Sequence, residues 1–313
     1  MAMSFKLKLL LWMTNTFNRI DVERISPEEL RAVADNRDLR ILDGPPMKIH
    51  KVEDRLVQGS EASIPIRIYT PEKAERLPVI VFFHGGGFVL GNIKAYDKIC
   101  RRMSLLTKSI IVSVEYRLAP EYKFPAAPTD CLDVTKWVAE NAVSMGADPE
   151  KLVVMGDSAG GNLAAVTAIQ ARDQGGPAIA FQVLVYPTVD ARMTYPSIEE
   201  NGKGYILTKD LMTWFTDHYS RTPSDKEHPL MSPILTKDLS GLPPALIQTA
   251  GFDPLRDEGI DYAQELKKTG NEVIHTNYEG LVHTYYTMPG FSKKCLSTHL
   301  EIGRVLRSFF SNN

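Results

Sequence analysis

Short apolar runs alternate with longer segments of helical periodicity from about residue 78 to the C-terminus. Runs rich in valine and isoleucine predict strands buried on both faces, and helices between them predict a mostly parallel sheet flanked by helices. The predicted strands are 78–83, 109–115, 151–156, 181–186, 244–250 and 271–278. The predicted helices are 126–145, 159–173, 256–269 and 293–310. The pattern therefore predicts an α/β fold.

Three other segments have patterns of their own. Residues 50–72 alternate apolar and polar positions, which predicts an antiparallel hairpin leading into the sheet. Residues 1–45 are helical and polar, and a second helical segment, 188–228, interrupts the alternation of strands and helices. We expect 1–45 and 188–228 to form a helical cap over one end of the sheet, and 46–187 with 229–313 to form the catalytic domain.

The charge balance of the chain indicates small-molecule partners. Its 36 basic and 38 acidic residues give a net charge of -2, without the basic surplus that nucleic acid or an anionic membrane would require. No stretch approaches the ~20 apolar residues of a membrane span. The basic, leucine-rich start is similar to a signal peptide, but its apolar core is short and no small-residue cleavage site follows. We expect a helix that packs on the domain.

The three cysteines, Cys100, Cys131 and Cys295, are widely spaced and form no CxxC pair. This spacing disfavours a disulfide framework or a zinc cluster and indicates a reducing compartment, so we expect a cytoplasmic protein. No spacing typical of a metal site occurs elsewhere, and neither a metal nor a cofactor is expected.

The segment GDSAG, residues 156–160, lies between a predicted strand and a predicted helix. In this context G-x-S-x-G forms a nucleophile elbow, which raises the serine Oγ above the carboxyl ends of the strands. The tight turn strains the serine backbone, and the flanking glycines let strand and helix approach closely. Ser158 is therefore the candidate nucleophile, the alternative being a glycine-rich turn with an incidental serine.

A serine nucleophile needs a base to accept its proton and a carboxylate to orient that base. With such an elbow, the acid comes next in the chain and the histidine follows it. Asp253 directly follows a predicted strand, and His283 lies in the loop after the next strand. Both therefore belong at the same end of the sheet as Ser158. The simpler alternatives are a helix-cap aspartate and a solvated loop histidine.

Other titratable residues are weaker candidates. His275 lies within a predicted strand and His299 within a predicted helix, while two more histidines lie in the inserted segment 188–228. Each is more simply interpreted as a packed or solvated imidazole. Asp257 falls inside a predicted helix, where a surface charge or a helix-start role is the simpler interpretation.

Three consecutive glycines, Gly85, Gly86 and Gly87, follow the first predicted strand of the alternating region. Glycine loses more backbone entropy on folding than any other residue, so three in a row indicate that bare backbone is needed there. Attack on a carbonyl creates an oxyanion that fixed N–H groups stabilise, and the N–H of Ala159 at the start of the elbow helix adds another donor. A phosphate-binding loop is the alternative, but neither nucleotide-binding glycine pattern fits these residues.

Five motifs occur in the order HGGGF, YRLAPEYKFPAAPTD, GDSAGGNLA, DPLRDEG and VH. From about residue 60 to the C-terminus, the chain resembles the hormone-sensitive-lipase-like esterases, which form bacterial family IV of the α/β-hydrolases. The resemblance implies an α/β-hydrolase fold with a helical cap, and a serine carboxylesterase without cofactor or metal.

Carried over to this chain, the resemblance implies Ser158 as nucleophile, His283 as base and Asp253 as its orienting acid. Ala159 and two of the three glycines, with Gly86 and Gly87 favoured, would supply the oxyanion hole. Residues 115–117 would be structural supports. Relatives often have glycine after the histidine, whereas Thr284 stands here, which puts the local pocket shape in question.

Three functional hypotheses were compared. The first is hydrolysis of soluble esters with short to medium acyl chains through an acyl-serine intermediate; amides, lactones or sugar acetates would use the same residues. The second is a small-molecule receptor like that for gibberellin in plants, which lacks the catalytic histidine, so His283 favours the enzyme. The third, a redox or nucleotide-binding protein, lacks its phosphate loop. The natural ester and the oligomeric state, a homodimer included, stay open.

Overall fold

The structure, a computed structural model, describes residues 3–17, 21, 24–35 and 47–312. Its centre is an eight-stranded sheet. The strands are β1 Lys51–Gln58, β2 Ser63–Thr70, β3 Leu77–Phe83, β4 Ile110–Val114, β5 Ala147–Asp157, β6 Phe181–Val185, β7 Ala245–Phe252 and β8 Val273–Val282. The helices are α1 Phe5–Phe17, α2 Pro27–Asp35, α3 Ile93–Thr107, α4 Ala126–Asn141, α5 Ala159–Asp173, α6 Pro196–Asn201, α7 Lys209–Tyr219, α8 Arg256–Lys268 and α9 Lys293–Asn312.

The sheet has the strand order β1-β2-β4-β3-β5-β6-β7-β8. Strands β1 and β2 form an antiparallel hairpin, with Lys51 opposite Thr70 and Gln58 opposite Ser63. Strand β2 is also antiparallel to β4, and every later pairing is parallel. The predicted hairpin and the predicted mostly parallel α/β sheet are both confirmed.

Both faces of the sheet are buried in apolar cores. Along β3, Val79, Val81 and Phe83 pack on the face covered by α4, α5 and α8. Ile80 and Phe82 pack on the opposite face, which α3 and α9 cover. Because successive side chains of a strand point to opposite faces, a strand covered on both sides is apolar at every position. This explains the continuous apolar runs in the sequence.

The strand order reverses direction around β3. After β3 the chain passes through α3 to β4 on one side, and β5 then pairs with β3 on the other side. The segments that follow β3 and β5 therefore diverge to opposite faces and leave a crevice between them. Such switch points at the carboxyl ends of strands are where α/β proteins bind ligands. Residues Gly85–Gly87 follow β3, and Ser158 follows β5.

Helix α3, Ile93–Thr107, is absent from the elements predicted above. Asn92 caps it, since its side-chain oxygen accepts a hydrogen bond from the Ala95 N–H. Its buried face includes Tyr96 and Cys100 among charged neighbours, so few aliphatic residues mark the helical period. The cap residue and the spacing of the buried positions were the available signals.

The two predicted cap segments lie close together in the structure. Leu30 of α2 belongs to the same apolar cluster as Trp214 of α7, with Phe215 packed against it. The side chain of Asn15 in α1 donates to the Gly204 carbonyl at 2.8 Å. These contacts support the cap, but the division of the chain into cap and catalytic domain stays a prediction.

Part of the predicted cap, residues 1–2, 18–20, 22–23 and 36–45, lies outside the described residues. Within the described ranges, no helix is both long and apolar enough to cross a membrane. The three cysteines are buried free thiols.

Arg117, just after β4, holds this segment to helix α4 through Asp130. Its guanidinium contacts both carboxylate oxygens of Asp130, at 3.0 Å and 2.8 Å. Asp130 is only 1% exposed. The Arg117 side chain also binds Glu61 at 2.9 Å. This is the structural role expected for residues 115–117.

Replacement of Arg117 by alanine should lower the free energy of unfolding by about 3 kcal/mol, because it leaves the buried Asp130 carboxylate without its cation. The matched control is Arg55→Ala, which removes a more exposed pair with Glu53 and should change the same quantity by less than about 1 kcal/mol. Urea unfolding of both variants measures the difference. Equal losses would contradict the assignment.

Candidate active site

The turn that carries Ser158 is a strained connection between β5 and α5. Ser158 has φ 55° and ψ -120°, a region that non-glycine residues rarely occupy. A Cβ at Gly160 would lie 2.0 Å from the carbonyl oxygen of Phe83, so only glycine allows α5 to lie so close to the end of β3. The turn has the strained serine and the close strand-helix approach that the sequence predicts.

Ser158, His283 and Asp253 lie in one hydrogen-bonded chain. The His283 Nε2 is 2.9 Å from the Ser158 Oγ, and its Nδ1 is 2.7 Å from the Asp253 Oδ2. A neutral imidazole that donates from Nδ1 to the carboxylate leaves Nε2 free to accept the serine proton. The arrangement can therefore perform acid-base chemistry on a nucleophilic serine.

Asp253 and His283 are enclosed, whereas Ser158 is not. Asp253 has no exposed surface, and His283 is 3% exposed. The second carboxylate oxygen of Asp253 accepts the Leu255 N–H at 2.9 Å, which fixes the carboxylate plane. Ser158 is half-buried, so a substrate can reach its hydroxyl from the crevice.

The ring of Tyr186 supports the His283 imidazole from the side of β6. The two ring centroids are 4.4 Å apart. Tyr285 packs edge-on against Tyr186 at 4.8 Å, and its hydroxyl donates to Gln248 at 3.2 Å. Thr284 has φ 71°, a left-handed conformation that favours glycine, so the residue after His283 stands in a strained backbone.

We call residues 84–91 the glycine loop. The Gly85 N–H donates to the Asp157 Oδ1 at 3.0 Å and lies 3.1 Å from the Tyr96 hydroxyl oxygen. Gly86 and Gly87 have positive φ, and within the described chain their N–H groups have no acceptor. Gly85 thus points into the protein, while the next two N–H groups are free to bind an anion.

His84 holds the glycine loop from behind. Its Nδ1 is 2.8 Å from the Gly85 carbonyl oxygen, and its ring stacks on Tyr116 at 4.3 Å. The Tyr116 hydroxyl donates to the His84 carbonyl at 2.7 Å. Burial lowers the pKa of His84 to about 4, so the ring is neutral at physiological pH and acts as a fixed support.

The other titratable candidates make contacts of their own. His275 Nε2 is 3.0 Å from the Thr249 hydroxyl, and His299 Nε2 is 2.8 Å from the Tyr286 carbonyl. The Asp257 carboxylate accepts the Ser197 N–H at 2.9 Å, between α8 and α6. Among the described residues, no group of His, Cys, Asp and Glu side chains is placed to hold a metal ion.

A cavity of about 340 Å³ lies over Ser158 and His283. Its walls are mostly apolar, and they include Leu30 of α2 together with Leu211 and Phe215 of α7. The N-terminal segment and the insertion after β6 therefore both line the space in front of Ser158. An apolar enclosed space of this kind suits an apolar ligand with one reactive polar group.

Four further residues contact the site that the sequence did not identify as functional: Tyr96, Asp157, Tyr186 and Phe215. Tyr96 lies on helix α3, which the sequence did not predict, and Tyr186 directly follows β6. Phe215 lies in the inserted segment 188–228, and Asp157 belongs to the elbow motif GDSAG. Of these four, only Asp157 had a signal in the sequence, because it belongs to the elbow motif. Tyr96, Tyr186 and Phe215 reach the site through tertiary contacts.

The chain is similar in sequence to known α/β-hydrolases and esterases. Residues 80–287 match the family described as alpha/beta hydrolase fold. The chain is 42% identical over 254 residues to the carboxylesterase NlhH of Mycobacterium tuberculosis, covering 79% of this chain and 80% of that protein. It is 35% identical over 294 residues to an arylesterase of Saccharolobus solfataricus, covering 94% of each chain.

A solved structure is similar along nearly the whole chain. The hyperthermophilic esterase of the archaeon Pyrobaculum calidifontis superposes with a TM-score of 0.93 at 41% identity. The superposition covers 98% of this chain and 99% of that one.

Helix α7 presses on the glycine loop at two neighbouring residues. A Cβ at Gly87 would lie 2.3 Å from Cγ of Phe215, so this ring lies directly against the glycine backbone. One turn later, Tyr219 stacks on Phe88 with ring centroids 4.0 Å apart. The cap segment therefore contacts the loop that carries the free N–H groups.

Gly87→Ala should destabilise the protein for two reasons that can be separated. Its φ of 61° adds a strain of ~1–2 kcal/mol, and the methyl group also overlaps the Phe215 ring. Gly175→Ala is the matched control, because Gly175 has φ 74° with nothing near its Cβ position, so only the strain applies.

Urea unfolding of Gly87→Ala, Phe215→Ala and the double variant measures the overlap. We expect the double variant to be at least about 1 kcal/mol more stable than the sum of the single losses predicts. Additive losses, or a Gly87→Ala loss no larger than that of Gly175→Ala, would show that the ring does not press on Gly87.

Proposed function

The chain belongs to the α/β-hydrolase family, in its hormone-sensitive-lipase-like branch, and on that premise we propose that it is a carboxylesterase with Ser158, His283 and Asp253 as catalytic triad. The observation that carries the proposal is the hydrogen-bonded chain of 2.9 Å and 2.7 Å beneath an apolar cavity. The carboxylesterase and arylesterase named among its relatives support the same reaction class.

In the acylation half of the reaction, Ser158 Oγ attacks the ester carbonyl while His283 Nε2 accepts its proton. The Asp253 carboxylate stabilises the imidazolium that forms. The tetrahedral intermediate collapses when its C–O bond to the alcohol breaks, and the proton on Nε2 passes to the departing alkoxide. The products of this half are the free alcohol and an acyl-serine.

In the second half, His283 Nε2 removes a proton from a water molecule as that water attacks the acyl-serine carbonyl. The second tetrahedral intermediate collapses by breaking its bond to Ser158 Oγ, which takes the proton back from Nε2. The carboxylic acid leaves and the free enzyme is restored. The same three residues therefore serve both halves of the cycle.

The N–H groups of Gly86, Gly87 and Ala159 are proposed to stabilise the oxyanion in both intermediates. The Gly85 N–H is committed to the Asp157 carboxylate, so Gly85 is left out of the proposed donor set. Ala159 is the first residue of α5, where the helix dipole favours negative charge. Each well-placed donor contributes ~3 kcal/mol to transition-state stabilisation.

The size and lining of the cavity support esters with short to medium acyl chains. Its volume of about 340 Å³ lies near the low end of the ~300–1,000 Å³ range for ligand pockets. The mostly apolar walls favour an alkyl or aryl group over a charged acyl chain. The cap residues Leu30, Leu211 and Phe215 bound the space, so we propose that the cap determines acyl-chain preference.

Ser158→Ala should lower hydrolysis of a chromogenic acetate ester by at least about 10⁴-fold, because no other group forms the acyl intermediate. The Ser158→Ala/His283→Ala double variant should lose little more than either single variant, since nucleophile and base act as a unit. The control is Ser224→Ala, an exposed serine of the inserted segment, which should keep full activity.

Mass spectrometry after treatment with a serine-reactive phosphonate should show one adduct on the native chain and none on Ser158→Ala. Ester binding without turnover by the native chain would instead support a receptor. Turnover by Ser158→Ala above a few per cent of the native rate would overturn the triad assignment.

Leu211 tests the role of the cap in chain-length preference. Leu211→Trp should reduce the octanoate-to-acetate ratio of kcat/KM by at least about tenfold, because the indole occupies space proposed for the acyl chain. Leu211→Ala should raise the same ratio by enlarging the cavity. The measurement uses p-nitrophenyl esters of increasing acyl length. If neither variant changes the ratio, the acyl chain does not lie against α7.

A further inference from the structure

A buried carboxylate beside the nucleophile has no part in the reaction steps above. Asp157 is 2% exposed, and within the described residues it forms no salt bridge with a lysine or arginine. Its hydrogen-bond donors are neutral: the Gly85 N–H at 3.0 Å and the hydroxyls of Tyr96 and Tyr186 at 3.1 Å and 3.2 Å. A buried charge held only by neutral donors is unfavourable for stability, so stability alone does not account for Asp157.

The first of these donors belongs to the glycine loop. The bond from Gly85 to Oδ1 fixes the start of the loop, immediately before the two N–H groups proposed for the oxyanion hole. A Cβ at Gly85 would lie 2.6 Å from the other carboxylate oxygen. The carboxylate is therefore in direct contact with the backbone at the start of the loop.

The second donor belongs to the support of the catalytic base. The Tyr186 hydroxyl binds the Asp157 Oδ2, and the Tyr186 ring lies 4.4 Å from the His283 ring. Tyr96 binds the same oxygen from helix α3 and braces the carboxylate from the opposite side. One carboxylate thus connects the glycine loop, the ring beside the base and the residue next to Ser158.

We propose that Asp157 is a positioning residue whose carboxylate aligns the oxyanion-binding N–H groups, through Gly85, and the His283 ring, through Tyr186, with Ser158. The inference rests on the proposed function, because it assigns Asp157 a role in that same site. The role differs from that of Asp253, since the His283 imidazole nitrogens lie against Asp253 and Ser158 and not against Asp157.

The ionised carboxylate suits this role better than a neutral group. It accepts all three hydrogen bonds, whereas a carboxylic acid must donate one proton and would lose at least one of the three donors. Burial raises the pKa of Asp157 to about 6, against the opposing effects of the Tyr96 hydroxyl and of His283. Assays at pH 8 therefore compare variants with the ionised form.

The test measures kcat and KM for p-nitrophenyl acetate at pH 8, with rates normalised to the folded fraction from circular dichroism. Asp157→Ala should lower kcat about 100-fold, the loss expected when an oxyanion donor is misplaced, and change KM less than threefold, because the apolar residues Leu30, Leu211 and Phe215 that bound the cavity are unchanged. Asp157→Asn keeps one acceptor oxygen and should lose about tenfold in kcat. Tyr186→Phe, which keeps the ring but not its hydroxyl, should lose less than Asp157→Ala.

A reversible boronic acid gives a readout that a purely structural role would not change. Its tetrahedral adduct with Ser158 places an oxygen at the oxyanion position, so its Ki should rise across the Asp157 series in proportion to the fall in kcat/KM. The matched control is Asp148→Ala, a buried aspartate near the other end of β5 that pairs with Arg76. This variant should change stability without changing kcat or Ki.

Three outcomes would overturn the inference: kcat of Asp157→Ala within threefold of the native value, a loss confined to KM, or a boronate Ki that stays constant while kcat falls. If Asp157→Ala does not fold, Asp157→Asn and Tyr186→Phe take its place, and their kcat, KM and boronate Ki are compared with the native values in the same way. The proposed function fails separately, when the native chain has no esterase activity or Ser158→Ala retains it.

Discussion

The close approach of helix α5 to the end of strand β3 determines where Ser158 lies relative to the glycine loop. A Cβ at Gly160 would meet the Phe83 carbonyl at 2.0 Å, so the backbone of the elbow helix rests on the backbone that leads into the glycine loop. Ser158 directly precedes helix α5, and Gly86 lies in the glycine loop that follows β3. Since the contact is between backbones, the distance from Ser158 to the N–H groups of Gly86 and Gly87 depends little on the rotation of other side chains.

Gly85 and Gly87 are each required because another group occupies the space that a side chain would need. Gly85 has no room for a side chain because the Asp157 carboxylate lies against it, and Gly87 has none because the Phe215 ring does. The loop is thus held between a buried charge below and a cap aromatic above. The free N–H groups are a consequence of this confinement, since a loop fixed on both sides cannot turn its donors toward alternative acceptors.

The cap segment therefore contacts both the cavity and the glycine loop. Helix α7 lines the cavity through Leu211 and also packs on the glycine loop through Phe215 and Tyr219. A substrate that displaces this helix would change its packing on the glycine loop as well as the shape of the cavity. In an enzyme of this construction, acyl-chain preference and turnover would change together when α7 is altered.

The sequence by itself determined the strands of the sheet and most of the helices, helix α3 excepted, because local periodicity reports burial on one face or two, and the elbow motif reports a local turn. It placed Asp253 and His283 correctly at strand ends, since the carboxyl ends of parallel strands share one edge. Only the tertiary structure decided the partners of Asp157, which are 61 and 29 residues away at Tyr96 and Tyr186. Such contacts depend on which strands are neighbours and on the direction in which each side chain leaves the backbone, and a one-dimensional pattern contains neither.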